Sequence, residues 1–465
     1  MAKLHIVDRA TIKLDKIEIK YADDVQDYRA DEESKQYGKY PFISYKGMPI
    51  ESDSISKLKL YNNKFLPYLE MVFVDKTGRI QDDYFPLDDS IISLFLRSHT
   101  VKKLPIRMDF KITSFSMSKK TDYENQEYTV GAELNIDGLY IRNWESYKGS
   151  SFNVLKTISK ELELGFVTNI DDTSDDMTWI NINNSKSEFI RNITEHSYKS
   201  DETFMWSYVD FYYNLNYVEI ETQLKEDISR QGNVMAESYV QGEGIDTVQS
   251  LTLTNNPDAN NPNSNLFIKN YVLLNDTTAL NIDLGYKHRI HYYDQTNTNY
   301  NSTFLDSISD TDNNSSIVLK GNPERPDSKF SNNVFNQTYL GKMDTDNVHK
   351  NYLYAYNQNL NNIKFLQKIK MVVVLNQANF NLYRFQKVNV VLYKMSQIMQ
   401  GDEEQTQNLD NSQLDKAGER NWKINDRLSG EWLITGINMT FDKDNGSVQE
   451  VTMIKRELSL PKYKK

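Results

Sequence analysis

The pattern of apolar and polar residues along this chain uses two different periods. Over most of the length, short runs alternate at a period of two, as in 106–112 and 128–141, which is typical of strands with one buried face. Between 149 and 218 the apolar positions recur instead every three or four residues, and Phe152 and Leu155 begin the first such run. The pattern therefore predicts a mainly β protein that contains one helical block.

Three helices and two strands are predicted within that block. The helices are 151–164, 187–198 and 203–211, and the strands are 177–180 and 212–218. The N-caps expected for the helices are Ser150 or Ser151, Ser187, and Ser200 or Asp201. Gly165 stands where the first helix needs a residue in the left-handed conformation, so we expect that helix to close there.

Two β-rich regions flank the helical block. Six or more short strands separated by turns are predicted before residue 145, which suggests a sandwich or a small barrel. Strand patterns resume after 218, and Asn445-Gly446 between the last two strands is a strong hairpin signal. No repeat of fixed period is visible, although two such regions can share a structure without visible sequence similarity.

A change in composition marks an insertion. Residues 255–265 consist mainly of Asn, Pro and Asp, which is typical of a loop, and Asn, Asp and Ser stay frequent to about residue 348. Aromatic residues persist, as in 288–293, so we expect a modest core rather than disorder. A helix is predicted at 352–362, and the polar stretch 401–419 is predicted to be a mobile loop.

The bulk composition excludes several classes of site. The chain has 465 residues with 30 Tyr and 20 Phe, enough for two to four domains with sizeable cores. No cysteine is present, which excludes disulfides, zinc–thiolate sites, iron–sulfur clusters and thiol nucleophiles. The net charge of −11 argues against tight binding to a phosphate backbone, because that needs Lys and Arg to displace counterions.

Neither an export signal nor membrane insertion is expected. The first nine residues carry Asp8 and lack an apolar core, so they do not form a signal peptide. The most apolar run, 371–375, is far too short to span a bilayer.

One cluster of acids has side chains that could ligate a hard cation. Four aspartates lie close together, namely Asp171, Asp172, Asp175 and Asp176. A calcium loop of the EF-hand type that began at Asp171 would need Gly at its sixth position and a carboxylate at its twelfth, where this chain has Asp176 and Ile182. A solvated loop is therefore expected, without a metal.

No catalytic constellation is evident elsewhere. Among the six histidines only His288 and His291 are close, and at a spacing of three on a strand they point to opposite faces. No His-Glu-x-x-His, Gly-x-Ser-x-Gly or Walker-type glycine loop occurs. We therefore expect no enzyme activity and no cofactor. The five tryptophans, Trp144, Trp179, Trp206, Trp422 and Trp432, are interpreted as core or interface anchors rather than as a sugar-binding platform.

Two stretches carry a family resemblance that covers about half of the chain. The first comprises Ser-Phe-Asn-Val-Leu-Lys-Thr-Ile-Ser at 151–159, Leu-Gly-Phe-Val-Thr-Asn at 164–169, Trp-Ile at 179–180, Ser-Asp-Glu-Thr-Phe at 200–204, and Tyr-Tyr-Asn-Leu-Asn-Tyr at 212–217. The second comprises 379–393 and Ser-Gly-Glu-Trp-Leu-Ile-Thr-Gly-Ile at 429–437. Together they resemble baseplate hub proteins of contractile-tailed bacteriophages and related injection machines (the late-control-D, or myovirus-type tail hub, family).

The resemblance implies a particular architecture. It is mainly β with an α+β insert: two tail-tube-like β-barrel domains joined by a small helical clamp domain, plus the Asn-rich insertion. The first barrel would be 1–145, the clamp 146–212, the second barrel 213–254 with 365–458, and the insertion 255–364. The residues expected to be structural or to lie at interfaces are Phe152, Leu155, Trp179, Phe204, Tyr217, Trp432 and Ile434.

The resemblance also implies a role and partners. Three copies would form a homotrimeric ring at the tail baseplate of the virion, assembled in the host cytoplasm, which adapts the hexameric tail tube to a trimeric spike. Its partners would be the central spike protein, the tail tube protein and the surrounding baseplate proteins, with DNA only in transit. The acidic balance suits such a channel, because like charge prevents DNA from adhering. The alternative from a different class is a phage adhesin, a β-sandwich protein that binds host surface glycans through its long Asn- and Tyr-rich loops.

Overall fold

The computed structural model is mostly β, as the sequence pattern predicts. It describes residues 4–14, 42–46, 48–50, 54–75, 78–83, 90–96, 106–119, 126–200, 203–225, 252–256, 267–275, 287–294, 298–306, 334–343, 347–375, 382–395, 422–442, 446–455 and 458. The helices are α1 (Arg79–Asp83), α2 (Ser151–Glu161), α3 (Lys186–His196), α4 (Ile220–Lys225) and α5 (Tyr352–Leu366). No helix within these ranges is both long and apolar enough to cross a membrane.

The strands are numbered in chain order. In the first half they are β1 (His5–Asp8), β2 (Phe42–Tyr45), β3 (Met48–Ile50), β4 (Ile55–Asn62), β5 (Tyr68–Asp75), β6 (Ile91–Leu96), β7 (Ile106–Lys119), β8 (Gln126–Leu134), β9 (Arg142–Gly149), β10 (Gly165–Thr168), β11 (Met177–Ser185), β12 (Met205–Val209) and β13 (Asn214–Glu219). In the second half they are β14 (Thr252–Thr254), β15 (Ile268–Asn275), β16 (Lys287–Asp294), β17 (Asn299–Asp306), β18 (Val334–Met343), β19 (Ile369–Leu375), β20 (Lys387–Val391), β21 (Tyr393–Met395), β22 (Trp422–Ile424), β23 (Gly430–Asp442) and β24 (Gly446–Ile454).

The largest sheet has 13 strands and joins the two β-rich regions. Its order is β15-β19-β24-β23-β4-β5-β8-β7-β6-β2-β3, with β20 and then β14 beside β23. Residues 57–62 of β4 pair antiparallel with 437–442 of β23. Strands from the beginning and from the end of the chain therefore lie side by side in one continuous sheet.

Two groups of five strands within this sheet have the same order. The first unit is β4-β5-β8-β7-β6 and the second unit is β15-β19-β24-β23-β20. In each unit the strands lie in the order first, second, fifth, fourth, third along the chain, and all neighbours are antiparallel. The two β-rich regions thus share a topology that no sequence repeat reveals.

The middle block comprises residues 142–225, which lie between the two units in the chain, and β1 from before the first unit joins its sheet. It contains a sheet of order β1-β10-β13-β12, in which only β10 and β13 are parallel. Helix α2 packs on β10 and β13, and α3 packs on β11, β12 and α5. Strands β9 and β11 form a separate two-stranded antiparallel ribbon.

The helix predicted at 203–211 is wrong. Strand β12 occupies this stretch and pairs with β13 from Met205 opposite Glu219 to Val209 opposite Leu215. Four of the five residues of β12 are buried, so apolar positions do not alternate, and periodicity cannot separate such a strand from a buried helix. Trp, Tyr and Val in this stretch favour strand geometry once a partner strand is present.

The helix ends correct two of the predicted caps. Ser150 caps α2, as expected, by accepting a bond from the Asn153 amide. The cap of α3 is Ser185 rather than Ser187, because β11 runs directly into the helix and Ser185 forms a reciprocal capping box with Glu188. The left-handed residue after α2 is Glu163, at φ 56°, while Gly165 begins β10.

Several other predictions are confirmed. Strands lie at 177–180 within β11 and at 214–218 within β13, and α5 covers the helix predicted at 352–362. Strands β23 and β24 pair up to Asp442 opposite Gly446, which confirms the hairpin at Asn445-Gly446. Strands β16, β17 and β18 form a small sheet inside the predicted insertion. The predicted loop 401–419 lies outside the described residues.

The capping box gives a direct test of the observed start of α3. We expect Ser185→Ala to lower the free energy of unfolding by about 1 kcal/mol, because the Glu188 amide loses its acceptor. Ser187→Ala is the matched control in the first turn and is expected to change it by less than about 0.5 kcal/mol. Chemical denaturation followed by circular dichroism measures both. Equal losses in the two variants would contradict the assigned cap.

Candidate assembly interface

The contact between β4 and β23 joins the first unit to the second within one chain. Its six paired positions run from Ile437 opposite Asn62 to Asp442 opposite Lys57. Apolar side chains from both strands are buried along it, namely Leu58, Leu60, Ile437, Met439 and Phe441. Burial of a side chain of this size contributes about 1.5–3 kcal/mol relative to exposure. The contact is therefore a filled interface between two units of the same topology.

A buried guanidinium lies beside this contact. Arg384 Nε donates to the Thr435 carbonyl on β23 at 2.8 Å, and Nη1 donates to the Lys64 carbonyl after β4 at 2.6 Å. The guanidinium also lies over the ring of Tyr208 in β12, 4.1 Å from the ring centroid. One side chain thus contacts the first unit, the second unit and the middle block.

The partners of Arg384 within the described residues are neutral. Besides the two carbonyls and the ring, its Nη1 donates to Asn62 Oδ1 at 3.5 Å. Burial lowers the pKa of Arg384 to about 10, which still leaves it protonated at neutral pH. Burial also raises the pKa of Tyr208 above its ordinary value. Backbone carbonyls from distant segments hold this charge, so no sequence motif marks it.

All seven residues predicted to be structural or at interfaces lie inside the chain. None is more than 7% exposed among Phe152, Leu155, Trp179, Phe204, Tyr217, Trp432 and Ile434. The first five belong to the middle block and the last two lie on β23. Phe152 packs edge-on against Phe166, 5.4 Å between ring centroids. These side chains form the core of one chain, and any part in contacts between chains stays a prediction.

The tryptophans do not share one surface. Trp179 and Trp432 are buried and Trp206 is half-buried, which fits a core role. The side chain of Trp422 lies outside the described residues. Trp144 differs, because it is 74% exposed.

The ribbon of β9 and β11 presents an exposed apolar face. Trp144 on β9 lies opposite Ile182 on β11, and Ile180 follows two residues away on the same face. Ile180 and Ile182 are both exposed.

Three of the four aspartates in the aspartate-rich loop are exposed, as a solvated loop requires, but Asp175 anchors the loop. Asp175 is fully buried, and its carboxylate accepts bonds from the Ser151 amide at 2.8 Å, the Tyr198 amide at 2.8 Å and the Thr173 hydroxyl at 2.7 Å. The expectation of a solvated loop is therefore wrong for Asp175. Across the ranges that the structure describes, no group of three or more His, Asp or Glu is arranged to hold a metal ion.

Two buried histidines lie where α5 packs against α3. The His196 ring stacks on Tyr352 and Tyr356, at 4.0 and 4.7 Å between centroids, and its Nδ1 donates to the Asn192 carbonyl. His349 Nε2 donates to the His196 carbonyl at 3.0 Å. Burial lowers the pKa of His196 to about 4 and moves the pKa of His349 in the same direction. Both rings are therefore neutral at pH 7.

Asn359 of α5 closes the end of α3. Its Nδ2 donates to the carbonyls of Thr194, Glu195 and Ser197, and its Oδ1 accepts from the Met205 amide of β12. The last carbonyls of a helix have no partner within the helix, so α5 supplies one from outside. Sequence reasoning missed this residue because 165 positions of the chain separate it from Thr194 at the end of α3.

Comparison with known proteins gives neighbours by structure alone. No protein-family model and no curated protein matches this chain. A tail protein of Neisseria meningitidis aligns at 8% identity over 90% of this chain and 97% of its own length, with a TM-score of 0.46. The 43 kDa tail protein of prophage MuSo2 from Shewanella oneidensis aligns at 8% identity over 90% and 100%, with a TM-score of 0.47.

A third neighbour belongs to a secretion machine. A component of the type VI secretion system of E. coli, described as structurally similar to tail proteins of bacteriophage T4, aligns at 9% identity over 90% of this chain and 79% of its own, with a TM-score of 0.42. These neighbours are tail and secretion-machine proteins. At such identities and scores the likeness by itself assigns neither a family nor a function to this chain.

Replacement of the buried arginine tests its role at the junction. We expect Arg384→Leu to lower the free energy of unfolding by about 3 kcal/mol, because the Lys64 and Thr435 carbonyls lose their donor inside the protein. Arg427→Leu removes an exposed arginine and should change it by less than about 0.5 kcal/mol. Chemical denaturation compares the two. A neutral or stabilising result for Arg384→Leu would mean that desolvation of the cation outweighs its bonds.

The buried histidines predict a loss of stability in acid. Because the pKa of His196 is lowered from 6.5 to about 4, the unfolded chain takes up the proton first as the pH falls. The associated stability is present above about pH 6.5 and is lost between there and about pH 4. We expect His196→Phe, which keeps a ring between the two tyrosines, to reduce this slope in denaturation series. His5→Gln, in β1 away from this cluster, should keep the wild-type slope, and identical slopes in all three proteins would contradict the assignment.

Proposed function

We propose that this chain is a structural subunit of a phage tail baseplate, and specifically the central hub. Three copies would form a ring of six like units that continues the hexameric tail tube and meets a trimeric spike. The observation that carries the proposal is the duplication of a five-strand unit within one chain. A chain with two like units offers six of them in a trimer, which reconciles sixfold and threefold symmetry. The resemblance of 151–217 and 379–437 to hub proteins supports the same reading.

The proposed domains follow the units. The first tube-like domain lies within 1–145, and the clamp at 146–212 extends through β13, because β12 and β13 pair in the sheet of the middle block. The second tube-like domain comprises 365–458 together with β14, which pairs with β20. It also includes β15, which pairs with β19 although it lies in the stretch assigned to the insertion. The rest of 255–364 is the proposed insertion domain.

The proposed partners are the spike protein, the tail tube protein and the neighbouring baseplate proteins. In this proposal DNA passes through the ring and is not bound as a ligand. The net charge of −11 supports that role, because a channel with acidic walls repels a polyanion instead of holding it. The proposed location is the tail of the virion.

One observation favours a second candidate, an adhesin for host glycans. Trp144, 74% exposed, lies four residues after Tyr140 in the chain, and Tyr140 is also exposed. Exposed aromatic rings are the side chains on which sugars stack. The two candidates differ in assembly, because the hub requires a closed ring and the adhesin requires only a sugar.

The mass in solution tests the hub directly. We expect light scattering on a sizing column, with the cognate spike protein added, to give a complex that contains three chains of 54.3 kDa. Negative-stain images of the complex should show six like densities around a central opening. Trp144→Ala should leave both results unchanged.

A different outcome would favour the adhesin. A chain that stays monomeric with its spike, and that binds host glycans in a way that Trp144→Ala abolishes, would overturn the hub. A trimer without glycan binding would overturn the adhesin.

A further inference from the structure

The two five-strand units match in detail as well as in order. The fourth strand of each, β7 and β23, carries a bulge at the same point, between Ile112 and Ser114 and between Ile434 and Gly436. When the two strands are aligned at their bulges, each residue after the bulge in β7 corresponds to one residue of β23. In particular, Met117 corresponds to Met439.

The first strands of the two units match in the same way. Strand β4 has a bulge between Ile55 and Lys57, and β15 has one between Ile268 and Asn270. Counting on from these bulges places Leu60 on Leu273. The register of one unit can therefore be transferred residue by residue to the other.

The filled contact within the chain uses only half of the available edges. It pairs the first strand of the first unit, β4, with the fourth strand of the second unit, β23. The corresponding pair is the first strand of the second unit, β15, and the fourth strand of the first unit, β7. Within the described residues, β15 pairs only with β19, and 116–118 of β7 pair only with β8.

Exposure shows what is missing at these two edges. Met439 is 2% exposed in the filled contact, whereas its counterpart Met117 is 43% exposed. Leu60 is 0% exposed, whereas its counterpart Leu273 is only half-buried. Met117 and Leu273 are thus more exposed than the residues at the corresponding positions of the filled contact.

We propose that β7 of one copy pairs antiparallel with β15 of a second copy of this chain, in the register of the β4–β23 contact. The inference rests on the proposed function for the number of copies and adds the edges and the register. Transfer of the observed pairs gives Ser116 opposite Leu274, Met117 opposite Leu273, and Ser118 opposite Val272.

The chemistry of these two edges fits such a contact. None of the three transferred pairs places like charges opposite each other. Met117 lies opposite Leu273 in the proposed contact, as Met439 lies opposite Leu60 in the filled contact. An exposed strand edge carries unpaired amides and carbonyls, and a second strand satisfies them. Because two different edges meet, two joined copies still have one free β7 edge and one free β15 edge between them. The contact can therefore repeat from copy to copy until the ring closes.

Cysteine pairs test the register, since the natural chain has no cysteine. The test uses two single variants, Ser118→Cys and Val272→Cys, mixed in equal amounts and oxidised with the spike protein present. Directly opposite residues on antiparallel strands have Cβ atoms about 5 Å apart, within reach of a disulfide after a small shift. We expect a covalent dimer from the mixture, and a covalent trimer from the double variant.

Two controls bracket this result. Lys59→Cys with Thr440→Cys places a pair in the filled contact at the corresponding positions, so it should close within one chain and calibrates the yield. Ser116→Cys mixed with Asn270→Cys is four residues out of register, about 13 Å along the strand, and should give no more than a few per cent of that yield.

The outcomes separate this inference from the proposed function. A trimer by mass whose Ser118–Val272 pair fails to cross-link, while the Lys59–Thr440 pair closes, would overturn the register and leave the hub standing. A monomer without cross-links would overturn both.

A second variant tests the same edge without cysteine. Met117→Glu places a charge on a residue that is already 43% exposed, so the single chain should keep its thermal midpoint within a few degrees. The trimer should be lost, because the charge would be buried against Leu273 of the second copy. Ile180→Glu, on the exposed face of the β9–β11 ribbon, should keep the trimer. A trimer that survives Met117→Glu at wild-type concentration would contradict the proposal.

Discussion

The pairing of β4 with β23 is the contact on which the rest of this structure depends. Without it, β4 and residues 437–442 of β23 would each present a row of unpaired amides and carbonyls. The pairing covers both of these strand edges at once and buries Leu58, Leu60 and Met439 along the contact. Arg384 stabilises this contact by donating hydrogen bonds to the Thr435 carbonyl on β23 and to the Lys64 carbonyl after β4. A cation in this position costs desolvation, which the carbonyls and the Tyr208 ring offset.

The middle block is held by buried carboxylates rather than by apolar packing alone. Asp175 accepts from amides at the start of α2 and after α3, and Asp210 accepts from the amides of Tyr212 and Asn214. Glu219 accepts amides at the start of α4, and burial raises its pKa and that of Asp210. Each of these groups fixes backbone that is otherwise irregular, so the block keeps a defined shape between the two units. A rigid connector is what two units need if their relative position is to repeat from copy to copy.

In the proposed hub, duplication of the unit would let one chain serve two symmetries. The filled contact and the proposed open one use the same strands of the unit, the first and the fourth, so a single geometry would serve within and between chains. A ring built in this way has no free strand edge at these positions. The insertion that separates β15 from β19 leaves the pairing of those strands intact, because it enters between two neighbours in the sheet.

The sequence by itself determined the elements whose pattern is local. One apolar stripe from Phe152 onward defines α2, and Asn445-Gly446 defines the hairpin of β23 and β24, because residues three to five apart carry the whole signal. The absence of cysteine and the β-rich composition likewise needed no coordinates.

Only the tertiary structure decided the features that depend on distant segments. The sequence pattern of β12 predicts a helix because the strand is buried on both faces. The pattern around β15 predicts an insertion because its neighbours in sequence are polar, although β15 pairs with β19. Arg384 and Asn359 gave no signal, since their partners are backbone carbonyls of segments that the fold brings together. A backbone carbonyl is the same in every residue, so the sequence cannot say which ones a buried donor will meet.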